Sequence, residues 1–170
     1  MKIKAIHIDD EKDSIEVIQM LIKEHCPQLD LVAWAHTVNE GVELIEKHNP
    51  HLVFLDVEMP GENGFSLFSK LKHRSFHTIM VTGYENYAIK AMKHSALDYL
   101  LKPVDADSLE SAVSKLDSKN LLEDPRLAHF NSLYQNELAT IKSLMIMTQS
   151  GFKNILFKNI VFIKSESGGY

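Results

Sequence analysis

The sequence predicts an α/β protein in which a five-stranded parallel sheet is doubly wound, with five helices distributed over both faces. Three observations carry that prediction. Short apolar runs alternate five times with stretches of helical spacing, the order of successive β-α units. The central runs are apolar along their length rather than at every second residue, as in strands covered on both sides. Unusual polar residues collect where these runs end, at the carboxyl edge where open α/β sheets bind ligands.

In chain order, Ile3 to Ile8 is a short apolar strand that runs directly into Asp9, Asp10 and Glu11. Three adjacent acids repel one another and gain from a cation. Ser14 to Glu24 places Ile15, Ile18, Leu21 and Ile22 at helical spacing, and Pro27 bars continuation. Leu29 to Ala35 is a second strand, and Val38 to Lys47 a second helix with Val42, Leu44 and Ile45 apolar. The stretch His51 to Gly64 organises the rest: Leu52 to Leu55 and Val57 flank Asp56, so that aspartate sits where a buried strand is running out. Met59, Pro60 and Gly61 stop the strand, since proline lacks a ladder donor and glycine allows positive φ. Phe65 to Leu71 makes a third helix, Thr78 to Thr82 a fourth strand, Asn86 to Lys93 a fourth helix and Ala96 to Leu101 a fifth strand. Lys102 and Pro103 end it, and Asp105 to Leu116 is a fifth helix with Asp105 as its cap. Right-handed crossovers then wind the helices onto both faces.

Composition bounds the function. The chain has 170 residues, 45% hydrophobic and 24% charged, ordinary for a protein with a real core. Cys26 is its single cysteine, so no internal disulfide forms and a reducing compartment is expected. The amino terminus lacks the apolar core and cleavage site of a signal peptide, and no stretch approaches a membrane span, so a soluble, cytoplasmic protein is expected. Residues 1–118 carry 12 Lys and Arg against 19 Asp and Glu, which excludes a nucleic-acid surface there. Residues 119–170 carry 6 against 4, too small a surplus to argue for one. The nine histidines show no ligand spacing, and His48, His51, His73 and His77 read as surface residues.

Asp9 and Asp10, Asp56, Thr82 and Lys102 emerge at the strand ends. Hard carboxylate oxygens suit Mg²⁺, which keeps several waters and is usually finished by phosphate oxygens. The hydroxyl and ammonium suit the remaining oxygens of a phosphoryl group, whose transfer is catalysed by positioning and charge neutralisation. Asp56 is the natural nucleophile and an aspartyl-phosphate its product.

The motifs D-D-E at 9–11, L-D-V-E-M-P-G at 55–61, V-T-G at 81–83 and D-Y-L-L-K-P at 98–103 resemble a two-component response-regulator receiver domain, a flavodoxin-like fold, over residues 1–118. The resemblance implies that Asp56 accepts phosphate from a sensor histidine kinase. It also implies that Asp9, Asp10, Asp56 and the backbone carbonyl of Glu58 hold Mg²⁺, that Lys102 and Thr82 assist, and that Thr82 and Tyr99 switch together. Glu58 and Tyr84, two residues beyond Asp56 and Thr82, are expected to flank the phosphate and control water access. Two alternatives stay open. A haloacid-dehalogenase-like phosphatase also pairs an aspartate nucleophile with an acid two residues on, but on the first strand of its fold. A phosphorylation-independent scaffold usually lacks part of the acidic site, which is complete here. The reading is therefore a signalling protein rather than an enzyme.

Residues 119–142 read as a linker and helix, with Leu127, Phe130, Leu133, Tyr134, Leu138 and Ile141 at helical spacing. That stripe is expected to pack on the receiver or on a second chain. From Ser143 the pattern turns to strands at 144–147, 152–157 and 160–163. Residues 143–170 resemble the opening of a LytTR-type DNA-binding domain whose base-reading loops lie downstream, which implies a regulator of transcription with that domain truncated; the exposed strands otherwise add to another surface or dimerise. Dimerisation is expected through the fourth helix, fifth strand and fifth helix, with Lys90 and Lys93 facing Asp107 and Glu110 across a two-fold axis.

Overall fold

A computed structural model describes residues 2–71, 73–84, 94–116, 127 and 131, and the backbone of 143–148 and 151–156. The elements are β1 (Ile3–Ile8), α1 (Lys12–His25), β2 (Leu29–Ala35), α2 (Val38–His48), β3 (Leu52–Asp56), β4 (Glu58–Met59), β5 (Glu62–Asn63), α3 (Ser66–Lys70), β6 (His77–Thr82), β7 (Asp98–Leu101), α4 (Ala106–Ser114), β8 (Ser143–Thr148) and β9 (Gly151–Leu156). The main sheet has the order β2-β1-β3-β6-β7, every pair parallel. The chain reverses its direction of winding beside β1, so a crevice opens outside the carboxyl ends of β1 and β3.

Five strands and the order of β-α units follow the sequence expectation, and the expected helix over 86–93 lies outside the described residues. The helices end for local reasons. The Thr37 hydroxyl accepts the Glu40 amide at the start of α2, and Asn49 closes that helix in the left-handed region at φ 46°. Asp105 caps α4 as expected, its carboxylate accepting the Ser108 amide at 2.8 Å. Helix α1 starts two residues earlier than its spacing suggests, because Glu11 at its N-cap adopts extended backbone without a side-chain cap. Where a plain turn is expected after Asp56, β4 and β5 instead form a two-residue antiparallel hairpin around Pro60 and Gly61, Gly61 at φ 80°.

Strands β3 and β6 are buried at every position, and one face of the sheet packs on α1 and α4 through Ile18, Leu21, Ile22, Leu109, Ala112 and Val113. Gly41 lets α2 lie close over β1: a Cβ there would meet Ile8 Cγ1 at 3.0 Å. His77 is buried within β6 rather than on the surface, since the strand begins one residue earlier than expected. His51 is half-buried at the opposite end of the sheet, its Nδ1 accepting the Lys4 amide at 3.1 Å. Burial, then the nearby Lys4 charge, lowers its pKa.

The chain divides into two compact units, Met1–Ser132 and Leu133–Tyr170. In the first, Leu127 is buried and Asn131 half-buried, both in helical conformation, so the start of the apolar stripe lies within this first unit. In the second, β8 and β9 pair antiparallel with Thr148 opposite Gly151, over the first two of the stretches expected as strands. The strand expected over 160–163 lies outside the described residues. Among the described residues no helix is long and apolar enough to cross a membrane.

Candidate functional site

Adjacent parallel strands bring their carboxyl ends into one row: Asp9 follows β1, Asp56 ends β3, Thr82 ends β6 and Lys102 follows β7. The Lys102 ammonium lies 2.7 Å from Asp56 Oδ2, 2.7 Å from Glu11 Oε2 and 3.0 Å from Asp9 Oδ2. Its backbone N–H also donates to the Thr82 carbonyl at 2.8 Å, which ties the lysine to the neighbouring strand end. Asp9 and Asp56 are buried, while Glu11 reaches in from an exposed position.

The two buried acids are held differently. Asp9 Oδ2 accepts the Ser14 hydroxyl at 2.6 Å, Oδ1 accepts the Glu11 amide at 2.9 Å, and His7 Nε2 lies 3.3 Å from Oδ2. Burial works to raise the Asp9 pKa, but the His7 and Ser14 contacts and the Glu11 amide outweigh it and bring it down to about 2. Asp56 Oδ1 accepts the Glu58 amide at 3.1 Å. There burial prevails over the Lys102 contact, with the charge of Asp9 adding to it, and the pKa is raised. Lys102 is pushed up, because its bonds to Asp56, Glu11 and Asp9 overcome the desolvation that would lower it.

The carboxylate oxygens of Asp9, Glu11 and Asp56 all lie within 4.8 Å of one another. Three carboxylates facing one ammonium leave two negative charges, and a hard oxygen donor set of that charge fits a divalent cation such as Mg²⁺. Glu11, one of the three adjacent acids that gain from a cation, joins this group although the resemblance does not name it as a ligand. Asp10, assigned there, is half-buried and outside the group. Ser14 and His7 were likewise not singled out. Both sit beside Asp9 only because α1 begins and β1 ends there, and no local motif marks them.

The Thr82 hydroxyl is fully buried and, among the described residues, hydrogen-bonds to nothing. Tyr84 is exposed, and its carbonyl accepts the Tyr99 hydroxyl, joining the chain after β6 to β7. Glu58 is exposed at the mouth of the site. Gly64 packs against the Asp56 peptide, its N–H donating to the Val57 carbonyl at 2.8 Å.

A doubly wound sheet whose adjacent strand ends carry buried acids, a hydroxyl and a lysine has the architecture of a phosphate-handling signalling domain. The chain belongs to the response regulator receiver domain family, which it matches over residues 5–114. It is 29% identical to the transcriptional regulatory protein BtsR of Escherichia coli over 169 residues, which cover 98% of this chain and 67% of that protein. It is 36% identical to the sensory transduction protein LytT of Enterococcus faecalis over 110 residues, 64% of this chain and 45% of LytT. Similarity to these two regulators agrees with the LytTR-type kinship expected from the sequence. Among solved structures, the REC domain of AraT, a response regulator from Geobacillus stearothermophilus, superposes with a TM-score of 0.62 at 30% identity, covering 76% of this chain and 99% of that domain. Apart from BtsR, the curated relatives are spanned over about half their length, for example 48% and 50%.

Proposed function

We propose that Asp56 is the phosphoacceptor of this receiver and that its donor is the phosphohistidine of a sensor kinase. The observation that carries the reading is the Lys102 ammonium bonded to Asp56 Oδ2 beside a buried Thr82 hydroxyl that has no partner among the described residues. In the transfer an Asp56 carboxylate oxygen attacks phosphorus and the P–N bond breaks. Its electron pair returns to the histidine nitrogen, which takes up a proton. Lys102 neutralises charge on the phosphoryl oxygens, and the Thr82 hydroxyl donates to one of them. Tyr99, joined to the Tyr84 carbonyl, follows Thr82 and carries the change to the face of β7 and α4.

Asp9, Glu11 and Asp56 would hold Mg²⁺, with Asp10 and the Glu58 carbonyl supplied by the family resemblance. When bound, the ion contributes charge neutralisation of the phosphoryl oxygens. Glu58 and Tyr84 control access of water and so the lifetime of the aspartyl-phosphate. If Tyr84→Ala leaves the dephosphorylation rate unchanged, the steric part of that role is wrong.

On the output side, residues 1–118 act as the receiver, 119–142 as a connector and 143–170 as the opening of a LytTR-type DNA-binding domain. The regulated output is transcription, in the cytoplasm. Dimerisation would use β7 and α4, where a groove of about 350 Å³ is lined by Tyr99, Asp107 and Ser111. Among the described residues Asp107 has no ion-pair partner, while Glu110 accepts from His25 Nδ1 of its own chain at 3.0 Å. Lys90 and Lys93 lie outside the described residues.

The test is intact mass after incubation with Mg²⁺ and acetyl phosphate, beside Asp56→Asn. One phosphoryl addition, lost in the variant and without Mg²⁺, is the expected result. No addition where another receiver reacts would bring the phosphorylation-independent scaffold forward, and turnover of a phosphate ester in large excess would bring the phosphatase forward.

A further inference from the structure

Arg74 is the largest fully buried side chain among the described residues. Arginine is almost never buried to this degree unless its donors are satisfied. Here its Nε donates to the Phe76 carbonyl at 2.8 Å, Nη1 to His94 at 2.6 Å and Nη2 to Ser95 at 3.2 Å. The guanidinium carbon lies 5.2 Å from the ring centre of Phe68 and 5.5 Å from that of Phe76, within reach of a cation–π contact. The His94 ring in turn stacks on Phe65 at 4.7 Å and on Phe68 at 5.0 Å.

These contacts join two stretches far apart in sequence. Phe76 precedes β6, the strand that ends in Thr82. His94 and Ser95 stand where the described chain resumes after Tyr84, just ahead of β7 and Tyr99. Two of the three carbonyls that hold the guanidinium therefore belong to the segment between the site hydroxyl and the site aromatic.

The backbone of Arg74 is gripped from another direction. Its N–H donates to Asn131 Oδ1 at 2.9 Å and its carbonyl accepts from Asn131 Nδ2 at 2.8 Å. A carboxamide offers a donor and an acceptor on two separate atoms, so Asn131 reads both polar groups of one peptide residue. Leu127, four residues earlier and also helical, is 3% exposed. Of the described residues after position 116, Asn131 is thus held on the Arg74 peptide by a pair of hydrogen bonds, and Leu127 is buried four residues before it.

We propose that the stretch around Arg74 is the docking surface for the post-receiver segment, and that Arg74 couples this docking to the state of Asp56. The coupling part rests on the receiver reading above. Thr82 and Tyr99 bracket His94 and Ser95 in the chain, so a change at the site that shifts these two carbonyls moves the guanidinium, and through it the backbone that Asn131 grips. Coupling of this kind is reciprocal: whatever phosphorylation does to docking, loss of docking does to the phosphorylated state.

The test uses the full chain. Affinity for beryllofluoride with Mg²⁺ is measured by titration calorimetry for wild type and Asn131→Ala, with hydrogen exchange at the Arg74 amide read with and without beryllofluoride. Asn39→Ala serves as control, since it removes a side-chain hydrogen bond of 2.6 Å, from Lys70 Nζ, that involves neither Arg74 nor Asn131. The expected results are an affinity changed by about threefold or more in Asn131→Ala but not in the control, near the low end of measured couplings, and Arg74 exchange that responds to beryllofluoride in wild type. Affinity within threefold of wild type, or Arg74 exchange indifferent to beryllofluoride, overturns the coupling. Wild type that fails to bind beryllofluoride would sink the receiver reading and the coupling with it, whereas protection of the Arg74 amide lost in Asn131→Ala would still establish the docking.

Discussion

Gly64→Ala tests whether the position of Asp56 depends on a single close approach of backbone to backbone. A Cβ at residue 64 would overlap the Asp56 carbonyl oxygen, and it would lie only 3.0 Å from the Asp56 carbonyl carbon and 3.2 Å from Val57 Cα. All three atoms are backbone, so no side chain can swing away to relieve the overlap. Either the end of β3 or the turn carrying residue 64 must move, by something on the order of 1 Å, and a displacement of that size at a reacting group costs about 10²-fold in rate. Overpacking adds a stability loss of about 1–3 kcal/mol. The assay is the rate of phosphoryl incorporation from acetyl phosphate with Mg²⁺, followed by intact mass, with circular dichroism to show that the variant is folded. A folded Gly64→Ala protein that incorporates phosphate within about threefold of wild type would refute the reasoning, since Asp56 would then be placed by something other than this contact.

Gly41→Ala probes the other close approach, against Ile8, but there the neighbouring atoms belong to a flexible side chain. A net loss of about 1 kcal/mol by urea unfolding is expected, the overpacking being partly offset by better helix propensity, with the phosphorylation rate retained. Glu11→Gln removes one of the three carboxylates around Lys102. Mg²⁺ affinity should fall several-fold by calorimetry while thermal stability changes little, because an exposed pair is worth at most about 1 kcal/mol. Acid stability should follow Asp9, whose pKa falls from 3.8 to about 2 on folding. A depressed carboxyl contributes stability that is fully present above 3.8 and lost as pH falls towards 2, here about 2 kcal/mol. Asp9→Asn should remove that slope from a pH series of urea midpoints. Asp56, with its raised pKa, acts in the opposite sense, so its protonation favours the fold.

Much of the site is legible in the sequence because its residues follow strands that are themselves legible. Asp56, Thr82 and Lys102 each stand at the end of an apolar run, and the parallel sheet places them side by side. Glu11 escapes that logic, since it belongs to the loop leading into α1 and enters the site only by the reach of its side chain to Lys102. His7 and His77 escape it for a different reason: a histidine inside an apolar strand looks polar in a one-dimensional pattern, yet both are buried in the sheet. The β4–β5 hairpin was hidden by its brevity, two residues per strand being too few for any alternation to show. Arg74 was invisible as a buried group because nothing local predicts the carbonyls of His94 and Ser95 that receive it.

Two buried aspartates share this pocket, and their surroundings divide the roles between them. Asp9 has both oxygens occupied by donors, from Ser14, the Glu11 amide and Lys102, and is held at a pKa of about 2. A carboxylate so stabilised is a weak base and a weak nucleophile, suited to holding charge in place. Asp56 has the Glu58 amide on one oxygen and Lys102 on the other, and burial raises its pKa. It is the more basic of the pair, and environments that push two carboxyls apart mark them for different tasks. Asp9 should therefore not substitute as acceptor. In Asp56→Asn, mass spectrometry after acetyl phosphate and Mg²⁺ should show no phosphoryl group on any peptide containing Asp9, even on prolonged incubation. A phosphorylated Asp9 in that variant would mean that placement near Lys102 suffices for reaction and that the difference in basicity plays no part.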